Sequence, residues 1–81
     1  MSAVKVEHLV EKLEGLKREM DAGLLRHGEY DQRLARIIGE LRDRKLDADR
    51  DKIFKTLDDL LARGVITPSV KIHLQARLGL D

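Results

Sequence analysis

The sequence predicts an all-α fold: two αα-hairpins, three to four helices in a small bundle completed by oligomerisation. Three observations lead there. Leu, Lys, Arg, Glu, Asp and Ala dominate the 81 residues, with one Pro and 2% aromatic residues, a mixture that favours helix throughout. Apolar residues recur at alternating intervals of three and four, the mark of one buried helical face. A stop-and-restart pattern, "EMDAGLLRHGE" at 19–29, returns in a denser form as "LLARGVITPSV" at 60–70. The chain is one domain's worth, 1–81, with hairpin one over about 3–46 and hairpin two over about 47–81.

The first helix is expected from about Ala3 to Ala22, with Ser2 as N-cap. Val6, Leu9, Leu13, Leu16 and Met20 form an a/d seam of just over two heptads, widened by Val10. Burying five seam side chains yields less than the backbone entropy lost in ordering about 20 residues. This helix must therefore pack on the rest of the chain or on another chain. Gly15 marks either a close approach by a neighbour or a tolerated surface glycine. Gly23 suits the left-handed position just past a helix end, and Leu24 or Leu25 supplies the contact that folds the chain back.

The second helix is expected to begin near Glu29, where a carboxylate meets the positive helix end. Its seam is Tyr30, Leu34, Ile37 and Leu41, with Ile38 alongside. From Arg42 to Lys52 the apolar pattern fails, although no Gly or Pro forces a stop. A helix continuing through this stretch would bury Arg44 and Asp51 or Lys52. A break at Leu46–Asp49 is therefore expected, with Asp47 or Asp49 capping a third helix to Arg63 that buries Ile53, Phe54, Leu57, Leu60 and Leu61. Gly64 then ends that helix, Val65 and Ile66 anchor the turn, and Thr67 followed by Pro68 starts the last helix. That helix offers Val70, Leu74 and Leu78 on one stripe, with Ile72 off it.

At an offset of 41 residues Leu16 falls on Leu57, Met20 on Leu61, Gly23 on Gly64, and Leu24-Leu25 on Val65-Ile66. Duplication gives such an echo. So does convergence, because stopping and restarting a helix demands the same residue types in any hairpin. The segment "LEGLKREMDAGLLRHGEYDQRLARII" at 13–38 resembles the short C-terminal domain known as SHOCT. Leu13, Leu16, Gly23, Leu25, Glu29, Tyr30 and Ile37-Ile38 match that module, and 57–70 is similar to its central part through Gly64, Ile66 and Thr67. The first copy departs in having Arg26-His27-Gly28 where a Thr cap is expected. The second lacks the acidic–aromatic pair and has Val70-Lys71 there. The resemblance covers about two thirds of the chain and implies an interaction or oligomerisation module without catalysis.

Charge is abundant and balanced, 16 basic residues against 15 acidic. Residues 1–40 carry a net −1 and residues 41–81 a net +2, so neither half has the one-sided field of a dedicated nucleic-acid binder. Cysteine is absent, which removes disulfides and thiolate metal sites. No stretch approaches the apolar length of a membrane span and no leader segment stands at the N-terminus, so a cytoplasmic protein is expected.

Specific sites find little support. Asp47, Asp49 and Asp51 open like a calcium loop, with Asp58 at the twelfth position. The sixth position is Lys52 where such loops need Gly, and the twelfth lacks the bidentate Glu. His8, His27 and His73 have no helical i, i+4 relation for zinc. Tyr30 between Glu29 and Asp31 reads as a seam residue, and no phosphate loop or nucleophile motif occurs.

A non-enzymatic protein–protein interaction or oligomerisation module is therefore expected, with no cofactor and no metal. It would be a small regulatory, adaptor or inhibitor protein, a class in which phage-encoded examples occur, binding a protein partner or itself. The interaction seam would be Val6, Leu9, Leu13, Leu16, Met20, Tyr30, Leu34, Ile37 and Leu41, and the turn residues Gly23, Gly64, Thr67 and Pro68. The alternative is a helix-turn-helix-like DNA-binding transcriptional regulator, with Lys71, His73, Gln75 and Arg77 on the recognition helix.

Overall fold

A computed structural model describes residues 4–79, the side chain of Arg44 excepted. Four helices account for most of it: α1 (Val6–Asp21), α2 (Glu29–Arg44), α3 (Arg50–Ala62) and α4 (Pro68–Arg77). α1 packs on α2 and α3, and α4 packs on the same two helices. The four thus close a ring in which α2 and α3, consecutive in sequence, stand diagonally. Inter-helix pairs set the directions. His8 meets Glu40 and Glu19 meets Arg33, so α1 and α2 run antiparallel. Asp58 meets Lys71, so α3 and α4 do the same. Both hairpin turns then lie towards one end and the 45–49 crossover lies at the other.

The two turns have the same geometry. Past α1, Gly23 has φ +73°. Its N–H donates to the Met20 carbonyl (3.1 Å), and the Leu24 N–H reaches back to Glu19 (3.0 Å). Past α3, Gly64 has φ +76°. Its N–H donates to Leu61 (3.1 Å), and the Val65 N–H to Leu60 (2.9 Å). These paired 5→2 and 6→1 bonds are the Schellman closure, which satisfies carbonyls a helix end would otherwise orphan and needs a left-handed residue at its pivot. The echo in the sequence is therefore an echo in backbone geometry.

The restarts differ. Thr67 caps α4 by accepting the Val70 N–H at 3.2 Å, with Pro68 at the first turn. Asp49 caps α3 by accepting the Lys52 N–H at 2.8 Å. α2 starts from Gly28, which offers no side-chain cap; its first residue, Glu29, instead accepts the Arg26 N–H at 2.8 Å.

Four details depart from expectation. α1 begins at Val6, with Lys5 at the N-cap and no side-chain cap bond; Ser2 and Ala3 lie outside the described residues. The later start has a cause. Val4 is extended and forms a parallel bridge with Leu46, its N–H donating to Lys45 (2.8 Å) and its carbonyl accepting from Asp47 (2.6 Å). That strap ties the chain's beginning to the diagonal crossover. Second, Ile38 lies in the core and Ile37 only beside it. α2 is gripped from two sides, by α1 and by α4, which centres its buried stripe on Leu34, Ile38 and Leu41. Third, Phe54 and Leu61 pack against the core without being buried, whereas Ile53, Leu57 and Leu60 are buried. The break after α2 comes at Lys45, one residue before the expected 46–49 stretch.

The core is a single cluster to which every helix contributes. Leu9, Leu13, Leu57, Leu60 and Leu74 are its most completely buried side chains, and no polar side chain is buried among the described residues.

Two stability predictions come from the backbone. Lys45 is the one described non-glycine residue at positive φ, +62° with ψ 146°, in a region where side chains cost about 1–3 kcal/mol. Lys45→Gly should therefore stabilise the fold by about 1 kcal/mol, raising the thermal midpoint by roughly 4–8 °C for a domain of this size. Gly64→Val should cost on the order of 2 kcal/mol, because a β-branched side chain is forced into the left-handed region. An unchanged midpoint would mean the second hairpin has been misplaced.

Candidate interaction surface

The structure turns most of the expected interaction seam inward. Val6, Leu9, Leu13, Leu16, Leu34 and Leu41 are buried in the chain's own core, and Tyr30 and Ile37 are half-buried against it. Burial raises the Tyr30 hydroxyl pKa; neighbouring Asp31 adds to the rise and Lys17 opposes it. It therefore keeps its proton at neutral pH and serves as a packing group.

Met20 is the exception, at 43% exposure. The reason is a mismatch in hairpin length. Arg63, the C-cap of α3, is bonded through Nη1 to Glu14 of α1 at 2.8 Å. That hydrogen bond also raises the Arg63 pKa; desolvation opposes the rise and neighbouring Asp59 adds to it. α3 thus ends short of the end of α1, which runs on to Asp21. Met20 continues the seam into a region where α3 has already stopped.

The same overhang exposes the turn. Leu24 is 70% exposed and Leu25 half-buried, whereas the residues 41 positions on, Val65 and Ile66, are half-buried and 3% exposed. Leu61, the counterpart of Met20, is half-buried too. One code is thus covered in hairpin two and open in hairpin one. Met20, Leu24 and Leu25 form an apolar tip flanked by ion pairs: Lys17–Asp21 at 2.8 Å, Arg33–Glu19 at 2.7 Å and Arg33–Glu29 at 3.7 Å. Such partly exposed pairs add little stability each; Lys17–Asp21 lies within α1 and Arg33–Glu29 within α2, so only Arg33–Glu19 ties the two helices together.

Two clefts flank α1. Between α1 and α2 lies one of about 330 Å³ with Gly15, Leu16 and Ile37 in its lining. The nearest atom to a Cβ built on Gly15 is Arg18 Nη2 at 3.8 Å, so no neighbouring element approaches this glycine. Between α1 and α3 lies a more open groove with Val6 and Val10 in its lining. Ile72, 65% exposed, stands apart from both on the outer side of α4.

The remaining candidate groups are dispersed. Asp49 is engaged in capping α3, and among the described residues no three His, Asp or Glu side chains are grouped to hold a metal. His8 Nε2 lies 3.1 Å from Glu40 Oε1, while His27 sits in the first turn and His73 on α4. On α4, Lys71 is tied to Asp58 of α3 and Gln75 is half-buried, leaving His73 and Arg77 exposed. No helix among the described residues is long and apolar enough to cross a membrane. Comparison with family models, characterised proteins and solved structures finds no match to this chain.

The overhang was out of reach of sequence reasoning. Heptad spacing marks Met20 as a seam position, but only the Glu14–Arg63 pairing reveals where the opposing helix ends. One signal was present: α3 and α4 together offer fewer seam positions than α1 and α2.

Proposed function

We propose that this protein is a non-enzymatic protein–protein interaction module, a small cytoplasmic regulator, adaptor or inhibitor. The observation that carries the reading is the apolar tip of hairpin one. Met20 and Leu24 stand in water on a projecting helical hairpin, although the fold covers the equivalent residues of hairpin two. Exposed large apolar side chains grouped on a protruding feature are costly to leave in water, and such groups mark contact sites. Leu24 is held by a Schellman turn, so little ordering entropy is lost when a partner covers it. The resemblance of 13–38 to the SHOCT module supports the same reading, because Gly23 and Leu25 of that pattern belong to this tip.

A partner of matching chemistry presents an apolar pocket or amphipathic helix with polar groups at its rim, to meet Lys17, Asp21 and Arg26. Affinity capture on the immobilised chain, run beside a Met20→Asp, Leu24→Asp variant, tests this. The wild type should retain a partner that the variant loses, while the variant's thermal midpoint stays within the range of about 0.5 kcal/mol expected for surface changes. Equal retention by both chains would reject the tip as the contact site. Binding to duplex DNA that falls steeply with added salt would favour the helix-turn-helix alternative instead.

A further inference from the structure

The α1/α3 groove carries an unusual distribution of charge. One bank, on α1, presents Glu7 and Glu11; the other, on α3, presents Lys52 and Lys55, with Val6 and Val10 in the lining between them. All four charged residues are exposed, and none takes part in a side-chain ion pair or hydrogen bond among the described residues. The remaining charges along the groove are already satisfied. Asp59 accepts from Arg63 Nε at 2.9 Å, and Arg63 Nη1 donates to Glu14 at 2.8 Å. Thr56 Oγ1 is bonded to the Lys52 carbonyl at 2.8 Å. The surface is therefore a shallow strip, floored by buried Val6 and half-buried Val10, between an unpaired acidic edge and an unpaired basic edge.

We propose that the occupant of this groove is a second copy of the same chain, related by a two-fold axis running along the groove. That axis swaps left and right between facing copies. It sets the acidic α1 edge of each chain, Glu7 and Glu11, against the α3 edge of the other that carries Lys52 and Lys55. A two-fold axis across the groove would instead face acid with acid and base with base. The surface is thus complementary to itself in one orientation only, and this charge complementarity singles out self-association.

The scale is modest. Two helix widths by the length of α3 give on the order of 400 Å² per partner, about half of a standard interface. The dimer is accordingly weak and dependent on concentration. This inference goes beyond the partner-binding reading, since it uses a different face from the tip of hairpin one.

Charge reversal tests it. By sedimentation equilibrium the wild-type chain should dimerise reversibly at concentrations approaching about 1 mM, and a chain that stays monomeric there would overturn the proposal. Glu7→Lys with Glu11→Lys makes both edges basic, and Lys52→Glu with Lys55→Glu makes both acidic. Each variant alone should be monomeric, and an equimolar mixture should form a heterodimer. Variants that dimerise like the wild type, or a mixture that stays monomeric, would overturn it.

Circular dichroism checks that both variants fold. Should one fail, the milder Glu11→Gln, Lys55→Gln chain should still weaken the dimer several-fold, and unchanged association would count against the groove. The dimer should also weaken as salt is raised, because the pairs are solvent-exposed; salt-insensitive association would reject charge pairing. Finally, Met20→Asp, Leu24→Asp should leave this dimer intact. Its loss in that variant would place the contact at the tip and overturn the groove assignment, independently of the partner-capture result.

Discussion

Every helix in this chain has to be stopped before it can be packed, and the two left-handed glycines do most of that work. Gly23 and Gly64 each reverse the chain through the same pair of backbone bonds, and each delivers an apolar residue next to the turn. Once both reversals are made, two antiparallel hairpins exist whose apolar stripes have nowhere to go except against one another. Lateral packing of α1 on α3 and of α2 on α4 then buries the leucines that no single hairpin can cover. A side chain with a Cβ at either pivot would compete with the reversal itself, so the architecture depends on two residues that contribute no packing of their own.

The second determinant is inequality between the hairpins. α1 and α2 have 16 residues each, whereas α3 has 13 and α4 has 10. With the crossover end pinned by the Val4–Leu46 bridge, the surplus length emerges at the turn end. A uniform bundle would have covered Met20 and Leu24 much as it covers Leu61 and Val65. The exposed apolar tip is thus a consequence of helix length acting on an otherwise repeated design. The lateral face of α1 and α3 is different in kind. There the apolar strip is narrow and the information lies in charge, arranged by sign along two parallel helices.

Much of the fold was legible in the residues because it rests on local chemistry. The glycine stops, the Asp49 and Thr67 caps, Pro68 at the start of α4 and the 3-4 spacing of Leu9, Leu13 and Leu16 act within a turn or two of chain. What could not be read depends on contacts between distant residues. The preference for Ile38 over Ile37 follows from α4 packing on α2, and the late start of α1 follows from Val4 bonding to residues some forty positions away. The candidate surfaces show the same division. Seam positions are visible as a pattern, but whether a seam faces the chain's own core or water is decided by where the opposing helix ends. For Met20 the Glu14–Arg63 pair decides it, and nothing in the local sequence signals that pair.

The central claim is that one chain buries its own seam, leaving the tip and the α1/α3 face for contacts with other molecules. Thermal unfolding followed by circular dichroism between about 1 and 20 μM chain tests this directly, since any fold completed by association gains stability with concentration. A midpoint that stays constant across that range is the predicted result, because the core closes within a single chain and the lateral dimer is too weak to populate there. A midpoint that climbs steadily with concentration would contradict the account, showing that the seam needs a second chain to be buried.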